Sequence, residues 1–195
     1  MTGLIIWIAA LITYGVFWLW YFGFGKKVTE GELNHYMRIL SSSDLNPEFL
    51  DNYRQFFAKD DGKEFFMVNT LELKEPKVDA MALLERYQRV FIPGLMRRAG
   101  HPYFIGSARA KNIERLEGGD SDDWQIAALM RYRSRRDFGE IIVKTFNSEH
   151  HELKLSALEK TNAFPVSAQV NIGSVSLLVG LIVAFLACVS HLVVS

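Results

Sequence analysis

The charges of this chain stop short of both ends. No Lys, Arg, Asp or Glu precedes Lys26, and none follows Lys160. About 20 apolar residues without charge are enough to cross the hydrocarbon core of a bilayer. Two stretches meet that requirement, Gly3 to Gly25 (GLIIWIAALITYGVFWLWYFGFG) and Ile172 to Val194 (IGSVSLLVGLIVAFLACVSHLVV). The chain therefore reads as an integral membrane protein with one span at each end and a folded domain between them. Trp18, Trp20, Tyr21 and Phe22 crowd the end of the first span, with Lys26 and Lys27 immediately after. Aromatic rings of that kind settle at headgroup level, and basic flanks stay on the cytoplasmic side. That predicts a cytoplasmic domain with both termini on the outer side. A cleaved signal peptide would begin with basic residues and end, after a shorter core, on small ones. The first segment has neither.

In the second span Ser176, Gly180, Ala184 and Cys188 recur every four residues. Small side chains at that spacing let helix backbones approach closely in lipid, so these four are the expected helix-packing face. Cys188 is the sole cysteine, which excludes an intrachain disulfide. The 22 basic and 22 acidic residues cancel, so there is no electrostatic case for nucleic acid.

Between the spans the period of the apolar residues sets the elements. Thr29 with Glu32 forms a capping box for a helix to about Leu40. Asn46 caps a second helix with Pro47 at its first position, and Asp60-Asp61-Gly62 ends it. Phe65 to Leu73 reads as a strand. Asp79 to Ala99 reads as a helix interrupted at Pro93-Gly94, and Tyr103 to Ala110 as a second strand. Gly118 to Asp123 is the expected hairpin tip and Trp124 to Tyr132 the third strand. Ser134 with Asp137 caps a helix that breaks near Asn147-Ser148 and resumes to Thr161, and Phe164 to Val170 is the last strand. The order is β-α-β-β-α-β, an α+β unit of the ferredoxin-like type. The expected divisions are 1–27 (first span), 28–63 (a juxtamembrane helical neck), 64–170 (the α+β domain) and 171–195 (second span). One face of so small a sheet stays uncovered by helices, and two copies are expected to pair there.

The runs MRYRSRRDFGEII (Met130 to Ile142) and HHELKLSALEKTNAFPV (His150 to Val166), with FFMVN (Phe65 to Asn69) and HPYFIG (His101 to Gly106), resemble a family of uncharacterised bacterial membrane proteins. The family is similar to the dimeric α/β-barrel group, whose better-known members include small monooxygenases and haem-degrading enzymes. The resemblance spans roughly residues 45 to 168. It implies a ferredoxin-like fold, an inner-membrane location and no particular activity.

Two constellations are candidates for chemistry. Arg131, Arg133, Arg135 and Arg136 stand within six residues of one another. Arg131 and Arg133, joined by Arg109, are the candidate anion site, since a guanidinium grips carboxylate or phosphate through its planar fork. Glu72, Glu114, Glu117 and Asp137 are the competing partners that would make the cluster structural, and the structural reading is favoured. Asn69, Trp124, His150 and His151 are the second constellation, because the haem-degrading relatives use an Asn, a Trp and a His. His151-Glu152 opens like a zinc-protease motif, but Leu155 stands where the second His is needed. No metal or cofactor is expected. The favoured function is a non-catalytic accessory or scaffold subunit, a homodimer or larger oligomer that contacts lipid and possible membrane partners. The alternatives are a membrane-tethered haem-binding or monooxygenase-like enzyme and a small-molecule or lipid sensor.

Overall fold

The side-chain period changes from helical to alternating at Phe65, and the sheet starts there. The computed structural model describes residues 2–42, 45–114, 124–146, 148–171 and 173–194, without the side chains of Glu149 and His150. Its elements are α1 (Thr2–Phe22), α2 (Glu30–Ser41), α3 (Pro47–Ala58), β1 (Phe65–Leu73), α4 (Lys77–Met96), β2 (His101–Ser107), β3 (Ile126–Tyr132), α5 (Arg135–Phe146), α6 (Glu149–Ala157), β4 (Leu158–Val166) and α7 (Val175–Val194). They form two units, Met1–Phe24 with Ala168–Ser195, and Gly25–Ser167.

In the first unit α1 and α7 are each long and apolar enough to cross a membrane. They pack antiparallel, with Gly3 against the His191 ring and Gly180 against the Tyr14 ring. The Tyr14 hydroxyl donates to the Ser176 carbonyl at 3.3 Å, closing the contact with a hydrogen bond.

The second unit is a mixed α+β domain on a four-stranded antiparallel sheet of order β2-β3-β1-β4. β1 is central, and its alternation sorts the residues by face. Phe65, Met67, Asn69, Leu71 and Leu73 point to the helices, while Phe66, Val68, Thr70 and Glu72 point away. β4 lies on the edge, where Pro165 removes no ladder hydrogen bond that a neighbour needs. The larger core cluster joins Phe65, Met130 and Tyr132 from the sheet to Phe138, Ile141 and Ile142 from α5 and Leu95 from α4. Phe138 sits inside a ring of aromatics, with Tyr132 at 4.9 Å, Phe65 at 5.6 Å and Phe56 at 5.9 Å between centroids.

The segment expected as a neck contributes to that core. Tyr36, Met37 and Leu40 of α2 and Phe57 of α3 are buried in it. Tyr36 lies on Gly139 of α5, where any Cβ would collide with its ring. The Thr29–Glu32 capping box and the Asn46 cap form as their sequences predict.

Other elements differ from expectation. α4 runs without interruption through Pro93, because the proline forfeits one hydrogen bond in a helix already held by its buried face. Trp124 precedes β3 instead of opening it. β4 begins at Leu158, so α6 stops at Ala157 and does not reach Thr161. Pairing of Glu72 with Lys160 and Leu73 with Leu158 overrides the helical preference of that stretch. The expected hairpin tip lies outside the described residues.

Candidate functional site

The four-residue stripe on α7 does not stay on one face. Each step of four turns 40° past a full revolution at 3.6 residues per turn. Ser176 and Gly180 lie against α1, where a Cβ on Gly180 would approach the Tyr14 ring to 3.2 Å. Ala184 and Cys188 have rotated away and are exposed, and Ala187 is buried in their place.

The arginine cluster is fully engaged. Arg131 is 1% exposed. Its Nε donates to Glu64 Oε2 at 2.7 Å and its Nη1 to the Ala99 carbonyl at 2.6 Å. Arg133 grips Asp137 through both arms of the fork, at 2.8 and 2.7 Å. Ser134 caps the same carboxylate. Arg135 stacks on the Phe56 ring and donates to the Phe56 carbonyl at 2.6 Å. Arg136 donates to Glu32 at 2.6 Å. Burial pushes the Glu32 carboxyl up, but Thr29 and Arg136 outweigh it and hold the group below the usual range. The cluster thus forms a clasp that ties the start of α2, the end of α3 and the start of β1 to the β3–α5 junction. Asp137 was a sequence-predicted partner; Glu64, Glu32 and the two carbonyls were not. Arg109 is exposed in the loop beyond β2. Because His101 pairs with Arg131 and Ser107 with Ile126, it lies at the opposite end of the hairpin from Arg131. The three candidate anion ligands therefore do not converge.

Asn69 and His151 do converge, on a cavity of about 170 Å³ between the inner sheet face and the helices. Asn69 is half-buried and its amide donates to the Met67 carbonyl at 3.1 Å. His151 stacks on Phe146 at 4.1 Å between centroids. Burial, helped by the neighbouring Lys154, pushes its imidazole below the ordinary range. Trp124 lines a separate, open depression with Arg109, and the His150 side chain lies outside the described residues. The residues do not fit a haem. The Trp of the set is missing from the cavity, and the volume falls short of the ~300–1,000 Å³ of pockets for drug-sized ligands. Sequence reasoning missed Tyr53, Tyr87 and Lys154, which share the cavity wall. The one available signal was the i, i+3 spacing of His151 and Lys154 on α6.

The sheet's outer face carries an apolar row across its middle and has no helix over it among the described residues. Phe104 on β2 is 53% exposed and Phe164 on β4 46%. Ladder pairing sets Phe104 beside Leu129, and Phe164 beside Val68.

No protein-family model and no curated protein matches the chain. Among solved structures it is similar to RPA0582, a protein of unknown function from Rhodopseudomonas palustris. The TM-score is 0.51 at 20% identity, over 66% of this chain and 97% of that one. Methylated RPA0582 gives 0.50 at 20% identity, over 67% and 96%. The likeness shows a shared fold.

Proposed function

We propose that the chain is a two-span membrane protein that acts by self-association. Its domain is of the ferredoxin-like, dimeric α/β-barrel type and pairs with a second copy through the outer face of the sheet. The terminal helices hold the pair in a bacterial inner membrane as an accessory or scaffold subunit, with the domain on the cytoplasmic side of Lys26 and Lys27.

The observation that carries this reading is the row Phe104, Leu129, Val68 and Phe164 on a face that no helix covers among the described residues. Burying two such faces removes apolar area from water at about 25 cal/mol per Å². A two-fold axis matches each row to its copy. Anchoring both copies in one membrane raises their effective concentration and lowers the affinity that pairing needs. The clasped arginines support a structural role for that cluster over an anion-sensing one.

The test is the mass of the full chain in mild detergent, by light scattering with the detergent contribution subtracted. Wild type is expected as a dimer or a multiple of it. The double variant Phe104→Lys, Phe164→Lys is expected as a monomer with an unchanged far-ultraviolet spectrum. A monomeric wild type, or a double variant that keeps the wild-type mass, refutes pairing through this face.

A further inference from the structure

One cation faces a cavity with no partner among the described residues. α6 brings Lys154 to the wall of the cavity shared by Asn69 and His151. Among the described residues no hydrogen bond or ion pair engages its ammonium, in contrast to Arg131, Arg133, Arg135 and Arg136. Among the described residues the cavity wall holds no Asp or Glu. Its other polar groups are donors or donor–acceptors, among them the hydroxyls of Tyr53, Tyr87 and Tyr132. Burial pushes all three phenols above the ordinary tyrosine range, so they remain protonated and able to donate. Burial also lowers the Lys154 ammonium, as expected of a charge without a counter-ion.

The rest of the wall is apolar, with Leu84, Phe91, Met130 and Ile142 prominent. A dry apolar cavity of ~150 Å³ holds one benzene ring, and this one measures about 170 Å³. That is room for a single ring or a short chain with a small polar head, and for nothing much larger. A half-buried cation with no acid beside it among the described residues is complemented by an occupant that brings the negative charge.

We propose that this cavity is a binding site for a small monocarboxylate with one aromatic ring or a short alkyl chain. Its apolar part lies among the aliphatic side chains, and its carboxylate accepts from Lys154 and the tyrosine hydroxyls. The site lies on the helix-covered side of the sheet, so it holds whether or not the outer faces pair.

The experiment is equilibrium dialysis of the detergent-purified full chain against labelled benzoate and hexanoate, with benzyl alcohol and hexanol as uncharged counterparts. Saturable binding of one or both acids, at one per chain and tighter than their alcohols, is expected. Lys154→Met and Lys154→Gln each weaken it about ten- to a hundredfold, the range for a hydrogen bond to a charged group. Tyr87→Phe weakens it by less, and Lys144→Met, on an exposed position of α5, leaves it at the wild-type value. The proposal fails if neither acid binds saturably in the millimolar range. It also fails if the alcohols bind as tightly as the acids, or if the folded variants among Lys154→Met, Lys154→Gln and Tyr87→Phe retain wild-type affinity.

Discussion

Two basic regions of the domain, built from similar side chains, are used in opposite ways. At the β3–α5 junction, four arginines each find an acceptor, three of them supplied by another part of the chain. On α6, Lys154 faces a cavity and finds none among the described residues. The arginines are spent on holding the domain together, and their removal weakens it. The lysine is held at the expense of stability, which is the pattern of a group kept for something outside the fold.

The contrast breaks most visibly at Arg131. Its side chain is 1% exposed and paired with Glu64, so Arg131→Met leaves a carboxylate and the Ala99 carbonyl without their donor. Loss of one partner of a buried pair costs about 3–5 kcal/mol. Thermal unfolding of the solubilised chain, followed by circular dichroism of the domain, reads this as a large drop in midpoint. A drop no larger than that of an exposed substitution would remove Arg131 from the clasp.

The opposite sign is expected at the lysine. Lys154→Met replaces an unpaired, desolvated ammonium with an apolar chain of similar length and stabilises the empty domain by about 1 kcal/mol. A destabilised variant in the same melt would mean that Lys154 has a structural partner and that the contrast is false.

The smallest effect belongs to Arg136, whose side chain is 34% exposed in its pair with Glu32. Arg136→Met costs about 0.5–1 kcal/mol at neutral pH. Glu32 has a folded-state pKa below its ordinary 4.5. Its contribution is therefore present above that value and lost as pH falls through the folded value. Wild type and Arg136→Met, compared by melting midpoint from pH 6 downward, should converge in acid. A gap that stays constant would assign the Arg136 effect to packing alone.

How much of this was legible follows from how local each signal is. The two long apolar terminal helices could be read because a run without ionised groups leaves a plain mark on composition. β1 could be read over its full length, as could the Thr29–Glu32 box, because alternation and capping are properties of neighbours. The start of β4 could not, since Leu158 and Lys160 become strand only through β1. The Ser176–Cys188 repeat meets α1 through its first two members, because four residues overshoot a turn and the offset accumulates. Arg131's charge was plain, but its partner Glu64 lies 67 residues away. The cavity had no signature at all, since its wall is drawn from α3, α4, α5, α6 and all four strands. Asn69 and His151 were singled out through a family likeness, and the fold then brought them together without Trp124.

The clasp also fixes an order of events during synthesis. Glu32 and Arg136 are 104 residues apart. At ~5–20 residues per second the ribosome takes about 5–20 s to cover that distance. Through that interval Tyr36, Met37 and Leu40 have been made while Phe138, Ile141 and Ile142, which will bury them, have not. The newborn chain therefore carries an unburied apolar face on α2 for seconds, until the arginines that close the domain have been made about a hundred residues later.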